Sequence, residues 1–181
     1  METIGFLELN SIAKGIEAAD AMLKAAEVSL ISAKASCPGK YHVLVSGEVA
    51  AVQSSVDAGV QIADGCVVDS LVIPRVHPQV IEAVNMSTLP EQMNAVGIVE
   101  YFSVTASILG ADAAAKAAEV TLLEVRLGTG IGGKSFVTLT GDVAAVEAGV
   151  DAAAAQAEES GMLVSRVVIP SPDVELFKSL Y

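Results

Sequence analysis

The sequence predicts an α/β chain made of two tandem copies of one small α+β sandwich. Three observations carry that expectation: an internal repeat, strand-like and helix-like segments alternating within each copy, and an interior limited to small aliphatic side chains. The repeat comes first, because Gly5, Glu8, Ser11, Asp20, Lys24, Glu27 and Val28 recur as Gly97, Glu100, Ser103, Asp112, Lys116, Glu119 and Val120, each 92 positions later. The pairs Lys40/Lys134, Gly47/Gly141, Val49/Val143 and Asp57/Asp151 are offset by 94, and Ile73-Pro74 matches Ile169-Pro170 at 96. The second copy therefore carries two extra residues before Lys134, in a loop, and two more around Glu159-Ser160 before Gly161. Two domains of about ninety residues follow, a size that commonly folds as a unit. Their expected bounds are 1–86 and 95–181, joined by a linker over 87–94 in which Ser87, Thr88 and Pro90 interrupt the pattern.

Within the first copy, Ile4-Gly5-Phe6-Leu7-Glu8-Leu9 is strand-like, and Ser11 stands as N-cap to a helix over Ile12–Ala26. Ile12, Ile16, Ala19, Leu23 and Ala26 share one face of that helix and are expected to bury it. Two β-rich runs, Val28–Ala35 and Tyr41–Val45, flank the turn Cys37-Pro38-Gly39-Lys40. Gly47 breaks into an Ala-rich helix over Val49–Ala63, Gly65 stops it, and a buried strand over Val67–Ile73 is closed by Pro74. A short helix over Pro78–Val84 ends the copy. The order β-α-β-β-α-β resembles the ferredoxin-like group of sandwiches, in which helices cover one face of an antiparallel sheet.

Composition narrows the function. Apolar residues make up 52% of the chain and charged residues only 18%, so part of the surface is expected to be covered by neighbouring copies. Ten Lys and Arg against 22 Asp and Glu give a net charge of −12, and no basic cluster overrides that field, which argues against nucleic acid. The chain opens Met1, Glu2, Thr3 and runs directly into a strand, without the basic and apolar regions of a signal peptide. No segment is apolar for long enough to span a bilayer. A cytoplasmic protein without membrane partners is expected. Two cysteines, Cys37 and Cys66, are too few for a disulfide framework.

Several segments then match a known family. Ile4-Gly5-Phe6-Leu7-Glu8, Ala19 to Ala26, Gly47 to Val52 and Val72-Ile73-Pro74-Arg75-Val76-His77 resemble signature segments of the bacterial microcompartment (BMC) shell domain. Val96 to Glu100, Gly130-Ile131-Gly132-Gly133-Lys134 and Gly141 to Val146 resemble them again in the second copy. The resemblance covers essentially the whole chain twice. It implies a structural tile: tandem members form trimers that imitate a hexagon, a pseudo-hexamer, and pack edge to edge with other shell proteins in the cytoplasm. Alternating placement of two similar domains about a threefold axis also closes a ring without open-ended growth. Within the family, Ser36-Cys37-Pro38-Gly39-Lys40 together with Gly130 to Lys134 resembles the tandem shell proteins of propanediol-utilisation compartments, which carry an iron–sulfur cluster.

The resemblance assigns roles residue by residue. Lys24 and Lys116 correspond to the lysine at the edge between tiles, Arg75 to the edge arginine, and His77 belongs to the same motif. The second copy has Pro170-Ser171-Pro172-Asp173 there, so half of the edges lack the arginine. Without the resemblance, each lysine reads as a solvated helix residue contributing little. Ser36 to Lys40 and Gly130 to Lys134 correspond to loops lining a central pore. A cluster ordinarily takes four cysteine thiolates, so one chain cannot hold it alone. The resemblance implies that Cys37 of three chains ligates one 4Fe-4S cluster per trimer, the fourth iron taking a non-protein ligand. Electron transfer across the shell, or exchange with enclosed redox enzymes, would follow.

Alternatives stay open on sequence alone. Cys37 also reads as an exposed thiol, and Cys66, at the start of a strand, as a small core residue. Without a cluster, the glycine amides together with Lys40 and Lys134 would line a pore favouring small anionic or polar metabolites. The glycine run lacks the spacing of a phosphate-binding P-loop. A ferredoxin-like regulatory protein binding a small ligand is the remaining reading, since fold does not determine function. An enzyme is not expected, because His42 and His77, the only histidines, belong to no nucleophile–base or metal-ligand set.

Overall fold

The computed structural model describes residues 2–85, 90 and 94–179, the last three through their backbone alone. The chain divides into two compact units, Met1–Val76 and His77–Tyr181. In the first, β1 (Thr3–Leu9), β2 (Ser29–Ser36), β3 (Lys40–Gly47) and β4 (Val67–Ile73) form an antiparallel sheet in the order β2-β3-β1-β4, with α1 (Ile12–Ala25) and α2 (Val49–Ala63) between strands. In the second, α3 (Pro78–Val84) precedes β5 (Ala95–Tyr101), α4 (Val104–Ala117), β6 (Thr121–Arg126), β7 (Ser135–Gly141), α5 (Val143–Glu158), β8 (Leu163–Pro170) and α6 (Val174–Ser179). Its sheet runs β6-β7-β5-β8, the same order. Both are the expected ferredoxin-like sandwich.

Local chemistry explains the element starts. The Lys14 amide donates to Ser11 Oγ, and the Ala106 amide to Ser103 Oγ, both at 3.4 Å, so the repeated serine caps the first helix of each copy. The close approach of α2 to β1 depends on Gly5, where a Cβ would stand 2.6 Å from Val56 and 2.7 Å from Val52. Gly97 serves the same purpose in the second unit, 2.5 Å from Val150. Tyr41, from β3, packs over Gly15 of α1.

Three sequence expectations are corrected. The first concerns α1, which buries Gly15, Ala18, Ala19 and Met22, while Ile12, Ile16 and Leu23 point outward. Only the side lined by small residues comes close enough to α2 and Tyr41, so size, and not hydrophobicity alone, selects the inner face. The second concerns β4, which was expected to be buried. It lies at a sheet edge, is half-exposed, and leaves Val68 in solvent. The third concerns the domain bound expected at 86. The first unit ends at Val76, because α3 buries Val80 and Ala83 and packs on α4 and β6. Gln79 secures it: its Nε2 donates to Val120 O at 3.2 Å and its Oε1 accepts from the Leu122 amide at 2.7 Å. Most of the linker expected at 87–94 lies outside the described residues.

The glycine contact gives a direct test. Gly97→Ala places a methyl group against the stiff, β-branched Val150, and should destabilise the protein by about 1–3 kcal/mol in denaturant unfolding. The exposed Gly65→Ala change strains only a left-handed turn and is the comparison for backbone cost.

Candidate functional site

The turn between β2 and β3 is tight because Ser36 and Lys40 are paired across it. The Gly39 amide donates to Ser36 O at 3.0 Å, and Gly39 takes a left-handed φ of 85° that its missing side chain permits. Cys37 sits in this turn, half-buried and not disulfide-bonded, followed by a cis peptide to Pro38. The corresponding connection in the second unit, 127–134, is longer, as the inserted residues require. Gly130, Gly132 and Gly133 there take φ values of 78°, 68° and 83°, and the Lys134 amide donates to Ile131 O at 3.3 Å. The run joins two strands, unlike a P-loop.

Sequence reasoning missed what stands behind these turns. Glu8 lies opposite His42 in the β1–β3 ladder, which puts Lys40 on its diagonal, and Lys40 Nζ reaches Glu8 Oε1 at 3.3 Å. In the second unit Glu100 lies opposite Phe136, and Lys134 Nζ reaches Glu100 Oε1 at 2.9 Å. Burial raises the Glu8 pKa, against the lowering pull of Lys40. Both members of each pair recur in the repeat, a signal the sequence held. Each loop lysine is thus compensated by a carboxylate, which weakens the anion-attracting field expected of an open pore.

The described residues hold no group of three or more His, Cys, Asp or Glu able to bind a metal. Cys66 packs half-buried against the core and its backbone bonds Ala63 and Asn10, which suits a structural residue. One chain therefore offers one loop thiol, Cys37. That donor set fits an iron–sulfur cluster only if several chains contribute.

The expected edge residues are scattered over both units. Lys24 pairs with Asp20 and Lys116 with Asp112, each at 2.6 Å one helical turn apart. Asp112 also accepts from the His77 amide at 2.8 Å, so His77 opens α3 as its N-cap. Arg75 is exposed in a left-handed turn with φ of 54°, and its counterpart Ser171 adopts 52°. The backbone bend is therefore repeated where the charge is not. Arg75 borders an open depression of about 550 Å³ shared with Glu2, Glu27 and Glu48. No described helix is long and apolar enough to cross a membrane.

Two antiparallel sandwiches in tandem, each with a glycine-bearing hairpin turn and a carboxylate–lysine pair behind it, define a repeat protein of one known class. The BMC domain family matches residues 3–76 and 95–172, and the chain belongs to that family of microcompartment shell proteins. It is 45% identical over 179 residues to the bacterial microcompartment shell protein PduT of Citrobacter freundii, covering 99% of this chain and 97% of that one. It superposes on the crystal structure of a microcompartment protein from Desulfitobacterium hafniense with a TM-score of 0.94 and 58% identity, covering 98% and 99% of the two chains. The shell protein EutM of Salmonella typhimurium is 39% identical over 89 residues, covering 48% of this chain and 93% of EutM. One EutM thus corresponds to one repeat. These relatives are structural shell proteins, and this chain is a structural protein, not an enzyme.

His42 provides a pH test of the fold around the site. It is buried, its ring stacks on Phe6 with centroids 5.9 Å apart, and burial, assisted by Lys34 across the β2–β3 ladder, lowers its pKa from 6.5 to about 4. Between those values the unfolded chain binds a proton that the native state does not. Stability is therefore complete above pH 6.5 and is lost as pH falls towards 4, by roughly 3 kcal/mol for this group. Denaturant unfolding from pH 7 to 4 should show a shallower decline for His42→Leu than for the wild type.

Proposed function

We propose that the protein is a trimeric, hexagon-shaped shell tile whose central opening holds a 4Fe-4S cluster bound by Cys37 of three chains. The observation carrying this reading is the position of Cys37, in a tight exposed turn between two paired strands, in a chain that repeats the shell domain twice. A threefold ring of such chains brings three equivalent turns to one axis, which supplies three thiolates where one chain supplies one. The bound cluster supplies one-electron transfer. Pro38 and Gly39 hold the turn that presents the thiol, and the Glu8–Lys40 pair anchors the strand end behind it. The likeness to PduT supports placement in a cytoplasmic microcompartment shell, beside other shell proteins and within reach of enclosed redox enzymes.

Iron counting tests the metal. Anaerobically reconstituted protein should hold one cluster per trimer by iron analysis, absorption and electron paramagnetic resonance. Cys37→Ser should abolish it with the trimer intact, while Cys66→Ser keeps it. With three protein thiolates, oxidation should give a three-iron signal before colour is lost. If the wild type binds no more iron than Cys37→Ser, the redox role fails and a metabolite opening remains.

Lateral packing is tested separately. Lys24→Ala with Lys116→Ala should prevent sheets seen by electron microscopy while sedimentation still reports trimers. Trimers that dissociate would move these lysines from the tile edge to the ring.

A further inference from the structure

The two sheets differ on the face turned away from their helices. In the first unit the strand pairings set Asp69, Glu8, His42 and Lys34 in one row across β4, β1, β3 and β2. Residues paired directly across strands share a face. The other face carries Leu7, Leu9 and Val43, which form the core with Ala18 and Met22 of α1 and Val52 of α2. The corresponding row in the second unit is Ser165, Glu100, Phe136 and Arg126. Serine and phenylalanine there replace two ionisable side chains of the first row.

Glu8 stands at the centre of the first row. Its side chain is 2% exposed, against 35% for Glu100, and its contact with Lys40 is the longer of the two, 3.3 Å against 2.9 Å. Lys40 is 25% exposed and links the buried carboxylate to solvent. Burial raises the Glu8 pKa, Lys40 lowers it, and the Asp69 charge raises it. His42, directly opposite, is buried and held neutral, with Lys34 beyond it. Lys40 is paired in turn with Ser36, the residue before Cys37. Glu8 therefore lies two strand spacings, about 10 Å, from the end of β2 that enters the Cys37 turn. Across that distance inside a protein, a change of one unit of charge is felt.

We propose that Glu8 is a proton acceptor coupled to the redox group at the Cys37 turn, taking up a proton when that group gains an electron. The inference rests on the cluster reading above and adds to it the residue that balances the charge. The electron comes from a one-electron donor and passes to the bound cluster. The proton comes from solvent by way of Lys40 and converts the Glu8 carboxylate to the acid. Reduction then adds one electron and one proton, and no net charge, to a protein that is already strongly acidic. The physical cause is that negative charge added near a buried carboxylate favours its neutral form. Glu100, more exposed and opposite a phenylalanine, is not given this part.

The test is a redox titration of the anaerobically reconstituted protein, followed by electron paramagnetic resonance from about pH 5 to about pH 9. The potential should fall as pH rises through the Glu8 titration, and level off once neither redox state holds the proton. Glu8→Gln should remove that slope. Should Glu8→Gln lose the cluster, two charge variants decide the matter. Lys40→Gln removes a charge that lowers the Glu8 pKa and should move the sloping range to higher pH, whereas Asp69→Asn should move it lower. Infrared difference spectra, reduced minus oxidised, should show a protonated carboxyl band in the wild type that Glu8→Gln lacks. A wild-type potential independent of pH, a slope retained in Glu8→Gln, or a sloping range that neither charge variant moves overturns the inference and leaves the cluster reading standing. A wild type that binds no more iron than Cys37→Ser removes the cluster reading, and the inference falls with it.

Discussion

Gln79 bonds the carbonyl of Val120, just ahead of β6, and the amide of Leu122 within it, and through that side chain a helix that follows the first repeat in sequence is held in the unit built by the second. Edge strands carry unpaired backbone groups, and a protein has to cover or block them to avoid uncontrolled pairing. Here β6 is covered by α3, with Val80 and Ala83 buried and Asp112 taking the His77 amide beside it. In the first repeat α1 leaves Ile12, Ile16 and Leu23 exposed.

The same logic explains the composition. Helices that lie close to a sheet need small residues on the inner side, and Gly5, Gly15 and Gly97 stand where a methyl group would meet a neighbouring side chain. On α1 the larger aliphatic residues Ile12, Ile16 and Leu23 are left on the outside, which suits a protein whose surfaces meet other surfaces. An apolar chain with few charges follows from a tile's need for contacts on several sides.

The turns differ from the rest of the fold in what they demand. Cys37 stands in a turn of three residues, and the run Gly130 to Gly133 in a longer one, but each begins its second strand with a lysine or its neighbour tied back to a buried or half-buried carboxylate on the central strand. The ion pairs hold the strand ends in place and leave the turn backbones exposed.

The sequence by itself determined the repeat, the element order and the capping serines, because these follow from local chemistry: periodicity, turn residues and side-chain hydrogen bonds within a few positions. It also determined that Cys37 lies in a turn and that copy two lacks the arginine of copy one. Tertiary structure decided which face of α1 is inner, since close packing selects by size and the apolar pattern of Ile12, Ile16 and Leu23 does not report size. It decided that β4 is an edge strand, because strand order depends on pairing between residues far apart in the chain. It paired Glu8 with Lys40 and Glu100 with Lys134, which the ladder register brings together across more than thirty positions. And it assigned α3 to the second unit, because the partners of Gln79 lie some forty residues further on, beyond the reach of any local pattern.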